Sequence, residues 1–472
     1  MGPTKVFREG PTQIRSLNRI CFLGLALMIA PTFVTAQPEV EFEQYQLDNG
    51  MTVILHEDHS APVAAVVVMY HVGSKNEKFK RTGFAHLFEH MMFQGSQHIE
   101  DNEHFKLLQE VGANINGTTN VDRTNYFEVV PSNHVELAIY LEADRMGFLL
   151  PAMTQEKLDN QRDVVKNERR QSYDNVPYGT ATEKISKALF PENHPYSWPT
   201  IGSMDDLSAA SLEDIKEFFR IYYAPNNAVI SVAGDFKPAQ VKEWIQRYFG
   251  SFKRGADIVR PERQDFTLSE EKRMTFEDRV QLPRLYIAWP SPPMNTREDA
   301  VLDVLTDILS AGKTSRLYKN LVYEKQIAQS VSAYQNGMEI GGLTGIQVTA
   351  KPGKTLTEME KIVDEELQKI LKEGVTDKEI QMSLNWKESS LINSRATVLG
   401  KANSLATYFT LTGNPDNFNS ELKRFKGITS DEIQALAKKI YTSGRVVLSV
   451  VPQGKTDLAA ERRTIEKKGG VE

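Results

Sequence analysis

The chain has 472 residues, 40% of them hydrophobic and 25% charged, and a net charge of −6. That is enough apolar material for two or more ordinary domains with proper cores, and it excludes a low-complexity or disordered protein. The acidic balance argues against nucleic acid or an anionic membrane as partner.

The first 36 residues differ from the rest. Lys5, Arg8, Arg15 and Arg19 precede an apolar run over 20–30, and Val34-Thr35-Ala36 places small residues at −3 and −1 before Gln37. This is the layout of a secretory signal peptide with a long basic region. The apolar run is short for a membrane span and Pro31 interrupts it, which argues against an uncleaved anchor. Cleavage after Ala36 removes four basic residues and one acidic one, so the net charge falls from −6 to −9. Cys21, the only cysteine, leaves with the leader, and no lipobox-like leucine closely precedes it. The mature chain then has no thiol, which excludes disulfides, cysteine nucleophiles and thiolate metal ligands. A periplasmic or secreted location is expected.

Residues 41–46 and 51–57 read as strands joined by the turn Asp48-Asn49-Gly50, and the valine-rich stretch 63–70 as a third strand. His71-Val72-Gly73-Ser74 then leads into a charged loop and a helix begun near Thr82-Gly83 and ended by Gly95. This helix carries His86-Leu87-Phe88-Glu89-His90. At 3.6 residues per turn His86 and His90 sit one above the other, with Glu89 beside them. Two imidazoles on one face make half of a zinc site, and a neighbouring carboxylate that need not bind metal can take a proton from water there. The order fits the inverted zincin pattern H-x-x-E-H. Such a histidine pair on a partly apolar helix also serves purely structural ends, so the pentapeptide alone leaves metal binding open. Without thiols, any zinc must be held by nitrogen and oxygen.

A helix over 102–111, a turn over 112–117 and a strand over 124–130 ended by Pro131 follow. The helix over 133–148 is amphipathic, with Leu137, Tyr140, Leu141 and Met146 on a common side; a longer, polar helix over 154–173 reads as solvated. A proline-bounded segment over 190–201, a helix over 211–221, a strand over 228–232 and a helix over 238–249 complete the first half. Residues 250–270 are polar, basic and poor in large apolar side chains, which marks a linker. The second half repeats the order: strand 284–289, helix 298–309, strand 341–350, helices 356–372 and 377–396, and strand 446–451. Its counterpart of the histidine-bearing helix, 300–310, has no histidine and would not bind metal in the same way. The expected division is a leader over 1–36, a first domain over 37–255 that carries the histidine pair and is the zinc-binding catalytic domain if that pair holds metal, and a second, zinc-free domain of similar topology over 256–472.

Several motifs occur in order: Gly83-Phe84-Ala85-His86-Leu87-Phe88-Glu89-His90-Met91-Met92-Phe93; Asn116-Gly117-Thr118-Thr119 with Asp122, Thr124 and Tyr126; and Val164-Val165-Lys166-Asn167-Glu168. His194-Pro195-Tyr196 and Tyr223-Ala224-Pro225-Asn226-Asn227-Ala228 follow. Together, over essentially the whole mature chain, they resemble the pitrilysin (insulinase) metallopeptidases, particularly the two-domain bacterial members and the β subunit of mitochondrial processing peptidase. The resemblance implies an α+β fold of two similar domains, each a mainly antiparallel sheet covered by helices, with two such chains closing around a chamber that admits peptides and unfolded segments.

The resemblance also implies that Glu168, with 77 residues between it and His90, is the third ligand of one zinc ion per chain, with Glu89 as general base of an endopeptidase. It puts Asn116 and Tyr126 near a peptide bound as an added β-strand, although turn and core roles fit these two equally well. The family's acid seven positions before the third ligand is here Gln161, which keeps a hydrogen-bonding group but no charge.

In similar proteins the zinc-free half supplies an Arg and a Tyr to the active site. In the matching stretch 315–329 these positions fall on Tyr323 and Gln329, while Arg316 and Tyr318 belong to a shared structural pattern at a helix start. The chain thus reads as the catalytic subunit of a heterodimer whose related, zinc-free partner supplies both groups. A self-sufficient homodimeric peptidase and a zinc-stabilised binding or assembly subunit are the alternatives; a purely structural role would not require Glu89.

Overall fold

A computed structural model of the chain describes residues 39–263 and 266–461. The expected leader over 1–36 lies outside the described residues. The first half contains β1 (Glu43–Gln46), β2 (Thr52–Glu57), β3 (Val63–Tyr70), α1 (Phe84–Met91), α2 (Glu103–Glu110), β4 (Asn114–Thr119) and β5 (Thr124–Pro131). It continues with α3 (Val135–Ala152), α4 (Gln155–Arg169), α5 (Ala181–Leu189), α6 (Met204–Ala209), α7 (Leu212–Tyr222), β6 (Ala228–Gly234) and α8 (Pro238–Phe249). The second half has β7 (Lys272–Asp278), β8 (Arg284–Ser291), α9 (Arg297–Ser310), β9 (Ala328–Met338), β10 (Gly341–Ala350), α10 (Leu356–Glu373) and α11 (Asp377–Ser394). It ends with α12 (Val398–Thr412), α13 (Asn417–Ser420), α14 (Ser430–Tyr441) and β11 (Val446–Pro452).

The strands form two sheets, in the orders β1-β2-β6-β3-β5-β4 and β7-β11-β8-β10-β9. Leaving out β1, the two orders are the same, strand for strand. With β1 set aside, the first and last strands of each half pair in parallel, β2 with β6 and β7 with β11, and the pairs flanking β3 and β8 are antiparallel. The fold is α+β, two similar halves, as the motifs imply.

Successive side chains of a strand point to opposite faces. On β3, Ala64, Val66, Val68 and Tyr70 enter the core beneath α1 and α3, whereas Ala65, Val67 and Met69 face the other way, and all seven are fully buried. The second face is covered by the other half: Ala402, Leu405 and Ala406 of α12, with Leu391 and Phe418, pack against Ala65, Val67, Met69, Val229 and Ala233. The reverse also holds. Ala181 and Ile185 of α5 pack on Tyr286, Ala288, Leu448 and Val450 of the second sheet. Each sheet therefore has one face covered by helices of its own half and part of the other face covered by the opposite half. Full burial of each Val, Leu or Met stabilises the fold by about 1.5–3 kcal/mol.

Three local expectations change. Residues 114–119 form β4 at the edge of the first sheet, where the glycine- and asparagine-rich sequence reads as a turn. The helix over 154–173 is regular only to Arg169; residues 170–174 form a wider i→i+5 turn. The chain over 250–263 is irregular but tied down, with Arg260 donating to His71 O at 2.9 Å and to Asn227 Oδ1 at 2.6 Å.

Candidate active site

Helix α1 is short and held at its start. Phe84, Ala85, Leu87, Phe88 and Met91 face the core, which leaves His86, Glu89 and His90 half-buried on the opposite side. Its N-cap, Gly83, has φ of 89°, and a Cβ there would meet Ile201 O at 2.8 Å, so glycine is required. The Glu77 carboxyl group accepts from Gly83 N at 3.0 Å, Ala85 N at 2.8 Å and Trp198 Nε1 at 3.1 Å, satisfying N–H groups that a helix start leaves open.

The third group comes from α4, whose start is capped by Thr154 accepting from Lys157 N. Leu158 and Val165 enter the same core as α1 and carry Glu168 to the histidines. Glu168 Oε2 lies 3.3 Å from His90 Nε2 and 3.7 Å from His86 Nε2. One donor atom from each of the three residues falls within 4.8 Å of the others. Burial, and after it the neighbouring His90, hold His86 down at about 4, a neutral imidazole with its lone pair available. The hydrogen bond with His90 lowers the Glu168 carboxyl below its usual value. Two imidazole nitrogens and one carboxylate oxygen converging at this spacing suit zinc, whose tetrahedral catalytic sites take three protein ligands and one water. His86 Nδ1 is buried and has no hydrogen-bond partner among the described residues.

Glu89 stands beside this group and outside it. Burial raises its carboxyl group, against a hydrogen bond donated by the Thr119 hydroxyl. Gly117, in register with Tyr126 across β4 and β5, brings the strand close: a Cβ there would lie 3.3 Å from Glu89 Cγ and 3.1 Å from Tyr126 Cδ1. Thr119 is a contact that spacing did not single out, although it ends the Asn116-Gly117-Thr118-Thr119 motif.

Asn116 is exposed on the edge strand β4, its Oδ1 accepting from Gly117 N at 2.9 Å. Tyr126 requires a correction. It is 0% exposed, with the Arg145 guanidinium 4.2 Å over its ring and the Phe93 ring at 5.7 Å, so it supports β4 from the core and offers no surface to a peptide. Gln161 is buried about two turns before Glu168 on the same side of α4. A second group of metal-binding residue types, His104, Glu128 and Glu142, surrounds Arg145, whose guanidinium bonds both carboxylates where a cation would sit.

In the second half Tyr323 is 73% exposed and Gln329 is exposed at the start of β9. Arg316 donates to Glu379 at 2.6 and 2.8 Å and is thereby engaged within its own half.

The described chain has two like α+β halves, with a His-x-x-Glu-His helix in the first. Two family models match it: residues 52–201 match the model for insulinase (peptidase family M16), and residues 209–385 match that for the peptidase M16 inactive domain. The chain belongs to the insulinase, or pitrilysin, family of peptidases. It is 28% identical over 359 residues to the zinc protease PqqE of Helicobacter pylori, covering 74% of this chain and 80% of that protein. It is 23% identical over 412 residues to the uncharacterized zinc protease YmxG of Bacillus subtilis, covering 87% and 98%. Among solved structures, a protease from Helicobacter pylori aligns with a TM-score of 0.81 and 25% identity over 87% of this chain and 99% of that one. The peptidase M16 inactive domain from Pseudomonas fluorescens, at 18% identity, shares the fold with a TM-score of 0.77 over 87% and 98%.

Proposed function

We propose that this chain is a zinc-dependent endopeptidase acting on oligopeptides or unfolded segments, and that it is the catalytic subunit of a heterodimer in the periplasm or outside the cell. The observation that carries the reading is the meeting of His86, His90 and Glu168 within 4.8 Å, with Glu89 adjacent. These three residues would hold one zinc ion per chain. When bound, zinc supplies a Lewis acid that polarises a peptide carbonyl and acidifies a water. Glu89 takes the proton of the attacking water and delivers it to the leaving amine. Thr119 fixes the Glu89 carboxylate, and the unpaired edge of β4 beside Asn116 offers backbone groups to an extended peptide.

The need for a partner is supported by what occupies the second half. The positions matching the family's Arg and Tyr hold an exposed Tyr323 and an exposed Gln329, and the nearby Arg316 is paired with Glu379. The test is peptide hydrolysis by the purified chain, alone and with a related zinc-free subunit, before and after chelation. Hydrolysis that is lost to chelator and rises on adding the partner supports the reading. A full rate from the chain alone, with no gain from any relative, refutes the heterodimer; a rate insensitive to zinc removal refutes the zinc-dependent mechanism.

A further inference from the structure

The two sheets meet at equivalent places. The turn between β4 and β5 carries Asp122, and the two-residue turn between the topologically matching β9 and β10 is Glu339-Ile340. These tips interlock. Glu339 N donates to Asp122 Oδ2 at 3.0 Å, and Ile340 N donates to the Tyr196 hydroxyl at 3.1 Å, which in turn donates to Asp122 Oδ1 at 2.6 Å. Lys75, whose side chain is 0% exposed, lies between the tips and donates to Asp122 Oδ1 at 3.1 Å and Glu339 Oε2 at 2.5 Å. His71 Nε2 lies 2.7 Å from the same Glu339 oxygen.

This contact continues into the active site. β4 leads directly into the Asp122 turn; on it Thr119 stands beside Glu89 and Gly117 packs against Glu89, and Arg123 stiffens the turn by donating to Thr118 O at 3.0 Å and Asn125 Oδ1 at 2.8 Å. On β5, Asn125 Nδ2 donates to Asn403 Oδ1 of α12 at 2.8 Å, a second tie from the same opposite half. β4 is an edge strand paired on one side only, so its placement against Glu89 depends on what holds the hairpin.

We infer that Glu339 is a positioning residue of the active site: through Lys75 and Asp122 the zinc-free half braces the β4–β5 hairpin so that Thr119 and Gly117 stay against Glu89. The inference rests on the reading of Glu89 as general base. It gives the second half a role toward catalysis within its own chain, separate from groups supplied by a partner. A misplacement of about 1 Å at a reacting group costs up to roughly a hundredfold in rate, so a brace remote from the metal can be felt in turnover.

The test uses the full zinc-loaded chain, together with the related zinc-free subunit wherever that raises turnover, as wild type, Glu339→Ala, Glu339→Gln and Glu89→Gln, followed by hydrogen–deuterium exchange, zinc affinity in chelator competition, and peptide turnover. Glu339→Ala is expected to raise exchange over residues 114–125 about tenfold while β8 and β11 keep wild-type protection, and to lower kcat about tenfold with zinc affinity unchanged. Glu339→Gln keeps an acceptor for Lys75 and His71 and is expected to return exchange and kcat to within about threefold of wild type. Wild-type exchange and turnover in Glu339→Ala overturn the inference, as does exchange raised evenly along the chain without rescue by glutamine. Undiminished turnover in Glu89→Gln strikes instead at the general-base reading, and the exchange measurement then decides alone whether the hairpin is braced.

Discussion

His90 Nε2 lies 3.3 Å from Glu168 Oε2, although 77 residues separate the two in the chain. The contact exists because α1 and α4 share one core through residues such as Leu87, Phe88, Leu158 and Val165. Loss of an outer partner of a metal ligand costs roughly 10–100-fold in affinity. Glu168→Gln, which removes a ligand on the proposed reading, is expected to lower zinc affinity by more than that while leaving the fold intact, because its side chain is half-exposed. Chelator competition measures the affinity; a wild-type value would place the third ligand elsewhere.

Gly117→Val puts branched carbon where even a Cβ is 3.3 Å from Glu89 Cγ and 3.1 Å from Tyr126. The wall cannot move far, since Tyr126 is fixed beneath Arg145. Displacement of Glu89 is expected to lower kcat by about 10–100-fold with zinc content unchanged. Steady-state kinetics beside metal analysis checks both halves of the expectation.

Leu405 of α12 is fully buried against the first sheet, a contact between the two halves. Leu405→Ala is expected to cost about 2–5 kcal/mol, seen as a lower thermal unfolding midpoint. For the same reason residues 39–255 expressed alone are expected to aggregate, because Ala65, Val67 and Met69 lose their cover. A soluble, cooperatively unfolding fragment would show that the cross-covering is dispensable.

The Arg316 pairing holds the Glu379 carboxyl down, together with backbone and hydroxyl donors from Thr376, at about 2 despite the opposing effect of burial. A depressed carboxylate stabilises the fold above its unfolded value near 4.5, and that contribution is lost as pH falls toward 2. Arg316→Met is therefore expected to cost about 1 kcal/mol at neutral pH, once solvent screening is allowed for, and progressively less below pH 4.5. Denaturant titrations of both proteins across that range give the difference. Turnover at neutral pH is expected to be unchanged, since Arg316 serves its own half; a loss of kcat with stability unchanged would give it a role at the site.

Much of the site is legible in sequence because α1 is local: helix periodicity alone puts His86, Glu89 and His90 on one side. Glu168 is not, since its approach depends on tertiary packing, and only the resemblance points to it. β4 hides for a different reason. Asn114, Asn116 and Gly117 are poor strand formers, and the strand persists through pairing with β5 and the close approach that glycine permits at Glu89. The valine run of β3 announces a strand but not what covers it. The covering helix α12 lies more than 300 residues away, where Gly400, Asn403 and the scattered Ser404, Thr407, Thr410 and Thr412 weaken the helix signal. Tyr126 shows the limit of a motif: its position in the pattern is informative, while its burial beneath Arg145 decides its role.

The most direct measurement is peptide turnover by Glu89→Gln with its zinc content determined on the same sample. Glu89 lies outside the group formed by His86, His90 and Glu168, so the variant is expected to retain one zinc per chain and to lose about 10²–10⁴-fold in kcat. A zinc-loaded Glu89→Gln protein that hydrolyses peptide at the wild-type rate would contradict the account.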